Sequence, residues 1–130
     1  MKLFKKQLYY AHSMRIYNSL REAEETKLIR EHFNKYQFFC PNKNRPKSWI
    51  NNSGSKIMLD CLQLVRQSKL VVASEYKNQV GKGVFAEVSE ALSNNIPCYV
   101  LRDGVFIPIQ YIEVEDADDW AVRYGRLIAC

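Results

Sequence analysis

Leu70-Val71-Val72-Ala73, followed after a polar loop by Gly81-Lys82-Gly83-Val84-Phe85-Ala86-Glu87, decides how this chain folds. A continuous β-branched run marks a strand covered on both faces, as in a parallel sheet flanked by helices. The glycines then open a helix, and they let backbone N–H groups of its first turn approach an anion closely. On this reading Glu87 projects from the first helical turn into a site suited to a nucleotide or a sugar phosphate. Taken alone, the motif is better read as a loop followed by an ordinary glutamate favoured by the helix macrodipole.

Working outward, strands are predicted at 8–11, 36–40, 69–74, 97–101 and 105–114. Helices are predicted at 19–35, 55–67, 84–94 and, closing the chain, 118–128. Ser19-Leu20-Arg21-Glu22 matches a capping box, and Ile57, Met58, Cys61, Leu62 and Val65 recur with helical spacing. Pro41 stops the second strand and leads into a polar loop over 41–54. Pro108 places the fifth strand at an edge or a bulge. Alternating strands and helices imply an α/β fold, a flavodoxin- or Rossmann-like three-layer sandwich whose mostly parallel five-stranded sheet has the order 2-1-3-4-5. Ligands of such sheets bind at the carboxyl ends of the strands where the order reverses. Three segments converge there: His12-Ser13-Met14-Arg15, the loop from Gly81 to Glu87, and the start of the preceding helix with Asp60 in its second turn.

The chain's 130 residues are read as one domain, 1–130, which must build its whole site alone. Nineteen Lys and Arg against 14 Asp and Glu give a net charge of +5, compatible with a phosphate-bearing ligand. The excess is dispersed, and the one basic cluster, Asn42-Lys43-Asn44-Arg45-Pro46-Lys47, lacks the interleaved aromatics of a nucleic-acid surface, so it reads as a solvated loop. Cys40, Cys61, Cys98 and Cys130 form no C-x-x-C pair and have no His at ligand spacing, so no metal site and no redox pair is predicted. The charged amino terminus and the lack of a long apolar run argue against a signal peptide and a membrane span, and a cytoplasmic protein is expected.

The chain resembles the nucleoside 2-deoxyribosyltransferase family, and within it the branch of 2'-deoxynucleoside 5'-monophosphate N-glycosidases. The resemblance spans most of the chain and is carried by Tyr9-Tyr10-Ala11-His12-Ser13-Met14-Arg15, by Val71-Val72-Ala73, and by Gly83-x-x-x-Glu87-x-x-x-Ala91. It implies that Glu87 is the nucleophile that attacks C1' of a deoxyribose, where a carboxylate stabilises an oxocarbenium-like transition state and forms a glycosyl intermediate. It implies that Ser13 and Arg15 hold the 5'-phosphate and that Tyr9 is an active-site tyrosine. Gly81 and Gly83 line the same site.

The leaving base needs a proton or a hydrogen bond, and Asp60 is the candidate donor, with Glu75 as the alternative. Asp60 stands one residue farther from Val71-Val72-Ala73 than the family pattern has it, and His12 replaces a small residue, where it narrows the site or contacts the phosphate. Glu90, one turn beyond Glu87, is assigned to solvent; Trp49 and Trp120 are assigned to the core. The expected activity is therefore cleavage of a deoxynucleotide N-glycosidic bond, with release of base or transfer of the sugar, and without metal or organic cofactor. The alternatives are a transferase of unphosphorylated nucleosides and a non-catalytic nucleotide-binding module. The expected partner is a small nucleotide or nucleoside, not a nucleic acid or a membrane. The apolar segment Phe106-Ile107-Pro108-Ile109 with Tyr111 near a sheet edge, together with the resemblance, predicts a homodimer or higher homo-oligomer.

Overall fold

The computed structural model describes residues 6–44, 54–75, 79–117 and 121–129. In chain order the elements are β1 (Gln7–Ala11), a 3-10 turn (Met14–Ile16), α1 (Leu20–His32), β2 (Gln37–Phe39), α2 (Pro41–Asn44), α3 (Gly54–Arg66), β3 (Leu70–Ser74), β4 (Gln79–Gly81), α4 (Lys82–Ser93), β5 (Cys98–Arg102), β6 (Val105–Ala117) and β7 (Ala121–Ala129). Four strands run parallel in the order β2-β1-β3-β5, and β6 joins β5 antiparallel, which reproduces the expected five-strand order. No helix among the described residues is long and apolar enough to cross a membrane.

The period-2 alternation of the strands sorts their side chains onto two faces. Leu8, Tyr10, Leu70, Val72 and Leu101 pack with Ile29 of α1 on one face. Tyr9, Ala11, Val71, Ala73 and Val100 pack on the other with Cys61 and Val65 of α3 and Val84, Val88 and Ala91 of α4. Every residue of β3 is buried, as a strand sandwiched between two helical layers requires. Each fully buried valine of this core contributes about 1.5–3 kcal/mol of apolar transfer free energy.

Several expectations are corrected. The closing segment is a strand, not a helix: β7 pairs antiparallel with β6 from Ile109 opposite Ala129 to Ala117 opposite Val122, and its other edge takes up β4. Val122, Tyr124, Leu127 and Ile128 are β-formers, and the long β6 offers them an open edge to pair with. β4 itself was not anticipated. Pro41 ends β2 as expected but also opens the short helix α2, a first-turn position where its missing N–H costs nothing. Pro108 faces Tyr99 of β5, and pairing with β7 begins only at Ile109, so the proline lies where β6 is still locally an edge. In the segment invoked for oligomerisation, Ile109 is buried, Ile107 packs on the α3/α4 core, and Phe106 stacks on His32. Ile109 is thus covered within the chain, while Phe106 and Ile107 are partly buried. Arg45 to Lys47 of the basic loop, Trp49 and Trp120 lie outside the described residues.

Candidate functional site

Helix α4 begins at Lys82, two residues earlier than expected, with Gly81 as its N-cap in an extended conformation at φ −70°. Glu87 therefore stands in the second turn, not the first, and turns inward. Gly83 serves packing: a Cβ there would meet Met58 Cε of α3 at 3.1 Å, so its lack of a side chain lets α4 approach α3.

Glu87 is 5% exposed, and its Oε2 accepts a short hydrogen bond from the Tyr9 hydroxyl, whose residue is wholly buried in β1. Burial pushes the Glu87 carboxyl up to about 8, while the Tyr9 hydrogen bond works in the opposite direction. Burial, Glu87 and Cys61 together hold the Tyr9 phenol far above its ordinary range, so it remains a donor at any physiological pH. Cys61, on α3 beside this pair, is pushed up to about 11, chiefly by burial. The arrangement is a proton-holding carboxyl on one side of the sheet, fixed by a phenol from the interior strand β1.

Between about pH 4.5 and 8 the folded chain retains a Glu87 proton that the unfolded chain has lost, so this group lowers stability as pH rises through that window. Tyr9→Phe removes the hydrogen bond that, among the described residues, favours the charged form. Its Glu87 carboxyl is expected to titrate higher than in the wild type, which a carbon-detected NMR titration will read, with Glu87→Gln identifying the resonance. An unchanged or lower midpoint would show that the phenol does not bond the carboxylate.

The other predicted residues divide. Ser13 caps the 3-10 turn after β1, its Oγ accepting the Arg15 N–H at 3.2 Å, and Arg15 is exposed on that turn. Both occupy the loop at the carboxyl end of β1. Asp60 is half-buried in the second turn of α3, where its charge reaches Cys61; no hydrogen bond joins it to Glu87 among the described residues. Glu75, the alternative acid, is held by the Arg102 guanidinium through both carboxylate oxygens, and its carbonyl accepts from Arg21, so it is committed to an ion pair. Glu90 pairs with Arg66 at 2.6 Å in a partly exposed position.

His12 does not face an open phosphate site. It is buried, stacks on Tyr10 with ring centroids 3.9 Å apart, and places Nε2 2.7 Å from Glu22 Oε2. Burial opposes the Glu22 charge, but hydrogen bonds from His12 and the Asn18 N–H, with the nearby Asn42 amide, outweigh it, so the carboxyl titrates below its usual range. Sequence reasoning missed Tyr17. Its ring lies 4.9 Å from that of His12, and its phenol is raised by burial and then by the charges of Glu87, Cys61, Cys40 and Glu22. Tyr17 thus touches the His12 ring and feels the charges of both groups. Nothing in local spacing marks it, because the link is made across the sheet edge.

No family model and no curated protein matches this chain. A conserved protein from Enterococcus faecalis V583, of known crystal structure, shares the fold with a TM-score of 0.61 and 22% sequence identity. The match covers 75% of this chain and 63% of that one, so the chain spans less than two thirds of the length of that protein.

Proposed function

We propose that the protein cleaves the N-glycosidic bond of a 2'-deoxynucleoside 5'-monophosphate, as its resemblance to the deoxyribosyltransferase family implies. The observation that carries this reading is the buried Glu87 carboxyl bonded to Tyr9, next to a strand-end loop bearing Ser13 and Arg15. With Oε2 engaged by the phenol, Oε1 is the atom left to attack C1'. As the C1'–Oε1 bond forms, the C1'–N bond breaks and its electron pair leaves with the base, which takes a proton from Asp60 or from water. Water or a second base then displaces Glu87 from C1'. The reactive form is the carboxylate, so the rate is expected to rise with pH toward about 8, where Glu87 loses its proton. Assembly of two or more copies in the cytoplasm belongs to the same reading.

Incubation with a panel of deoxynucleosides and their monophosphates, followed by chromatography for free base, tests the proposal. Base should appear faster from the monophosphates. Equal rates would remove the phosphate role of Ser13 and Arg15; ligand bound but recovered intact would point to a binding module. Arg15→Ala is expected to raise KM for a monophosphate about 10–100-fold, the worth of a charge-assisted phosphate contact, and to leave KM for the nucleoside unchanged. A similar increase for both substrates would assign Arg15 to structure.

A further inference from the structure

We propose that His12, Glu22 and Cys40 form a binding site for a divalent transition-metal ion of the zinc class. The three residues come from separate elements. His12 follows β1, Glu22 lies in the first turn of α1, and Cys40 stands between β2 and α2. All three are buried, and one imidazole nitrogen, one carboxylate oxygen and the thiol sulfur lie within 4.8 Å of one another. His12 Nε2 is 2.7 Å from Glu22 Oε2 and 3.9 Å from Cys40 Sγ. A tetrahedral zinc centre with ordinary bond lengths has ligand separations of about 3.4–3.6 Å, which these two distances bracket. Small side-chain rotations would admit the ion.

The surroundings are those that ligands need. His12 Nδ1 faces the Tyr10 carbonyl at 3.1 Å; donating there would fix the tautomer of a metal-bound imidazole, whose Nε2 lone pair is freed toward the ion when the proton it shares with Glu22 leaves. Glu22 Oε1 accepts the Asn18 N–H at 3.1 Å, which orients the carboxylate and leaves Oε2 for the ion. Asn42 supplies an independent sign. Its Oδ1 accepts from the Cys40 thiol at 3.0 Å, while its Nδ2 is the buried side-chain polar atom left without a hydrogen-bond partner among the described residues. Turning that amide over would aim an N–H donor at the sulfur, the contact a metal-bound thiolate needs.

Charge and ligand type agree. A carboxylate and a thiolate with a neutral imidazole cancel a dication, and this mixed N, O and S set suits zinc and its neighbours better than calcium or magnesium. Lys43 Nζ lies 3.5 Å from Glu22 Oε1, but its side chain is 56% exposed and free to swing into solvent. Three protein ligands leave a fourth position for water or another donor. The rival account is a simple ion pair in which a proton, not a metal, lies between His12 and Glu22.

The test is a cobalt titration of the full chain, reduced and stripped with chelator. A 1:1 complex with a sulfur-to-cobalt charge-transfer band and an intense tetrahedral visible spectrum, bleached by zinc, is expected. His12→Gln and Cys40→Ser should weaken cobalt binding by about 100-fold or more, whereas Cys61→Ser, Cys98→Ser and Cys130→Ser should keep it, and Lys43→Ala should bind equally or more tightly. Folding of each variant is checked by circular dichroism. Failure of the folded wild type to form the complex would overturn the proposal even if a variant did not fold. So would a band that survives Cys40→Ser or disappears with another cysteine. None of these readouts depends on base release, so the metal site and the proposed reaction stand or fall separately.

Discussion

Glu87→Gln is expected to lower release of free base from a deoxynucleoside monophosphate by about three orders of magnitude or more, the usual consequence of removing a covalent nucleophile. The amide keeps the shape of the carboxyl and can still accept from the Tyr9 hydroxyl. It also resembles the neutral form that burial favours, since Glu87 gives up its proton only near pH 8. The variant should therefore fold as well as the wild type at neutral pH. It should gain stability relative to the wild type as pH rises from about 4.5 to 8, where only the unfolded wild-type carboxyl ionises, and the gain should level off above about 8. Chromatographic assay beside denaturant unfolding at two pH values separates the two effects. Retention of full activity would remove Glu87 from the chemistry, and equal instability at both pH values would place its role in packing.

Glu22→Ala is expected to cost about 3–5 kcal/mol of stability, measured in the presence of chelator, because it leaves a buried histidine and a backbone N–H without their acceptor. The lost contacts are His12 Nε2 at 2.7 Å, the Asn18 N–H at 3.1 Å and the outer ion pair with Lys43 at 3.5 Å. For a domain of this size, the midpoint of thermal unfolding should fall by on the order of 10 °C. Glu24→Ala, an exposed carboxylate of the same helix, should stay within about 0.5 kcal/mol of the wild type. Comparable losses from the two substitutions would mean that the buried cluster contributes nothing beyond surface electrostatics.

The capping box shows how local and non-local forces divide the same residues. Ser19 caps α1 as its spacing predicts, with Oγ accepting the Glu22 N–H at 3.2 Å. The Glu22 carboxylate, which a capping box would return to the Ser19 N–H, takes the Asn18 N–H and turns to His12. The Ser19 N–H donates instead to the Ile16 carbonyl at 3.2 Å, so the carboxylate is spared for the buried imidazole, whose loss of an acceptor would cost more, and the tertiary partner wins.

By itself, the amino-acid sequence determined the layered α/β architecture and the order of its first strands. Those features follow from short-range periodicity: continuous apolar runs such as Leu70-Val71-Val72-Ala73 must be covered on both sides, and parallel strands admit few crossovers. It also drew attention to Glu87, through glycines and helix polarity. Tertiary structure alone decided the rest. Residues 121–129 became a strand because β6 presents an edge to pair with, a choice local propensity did not settle. His12, Glu22 and Cys40 converge, with the Tyr17 ring against His12, because four elements end at one side of the sheet. Their separation along the chain carries no periodic signal, and only closure of the fold brings their polar atoms within reach.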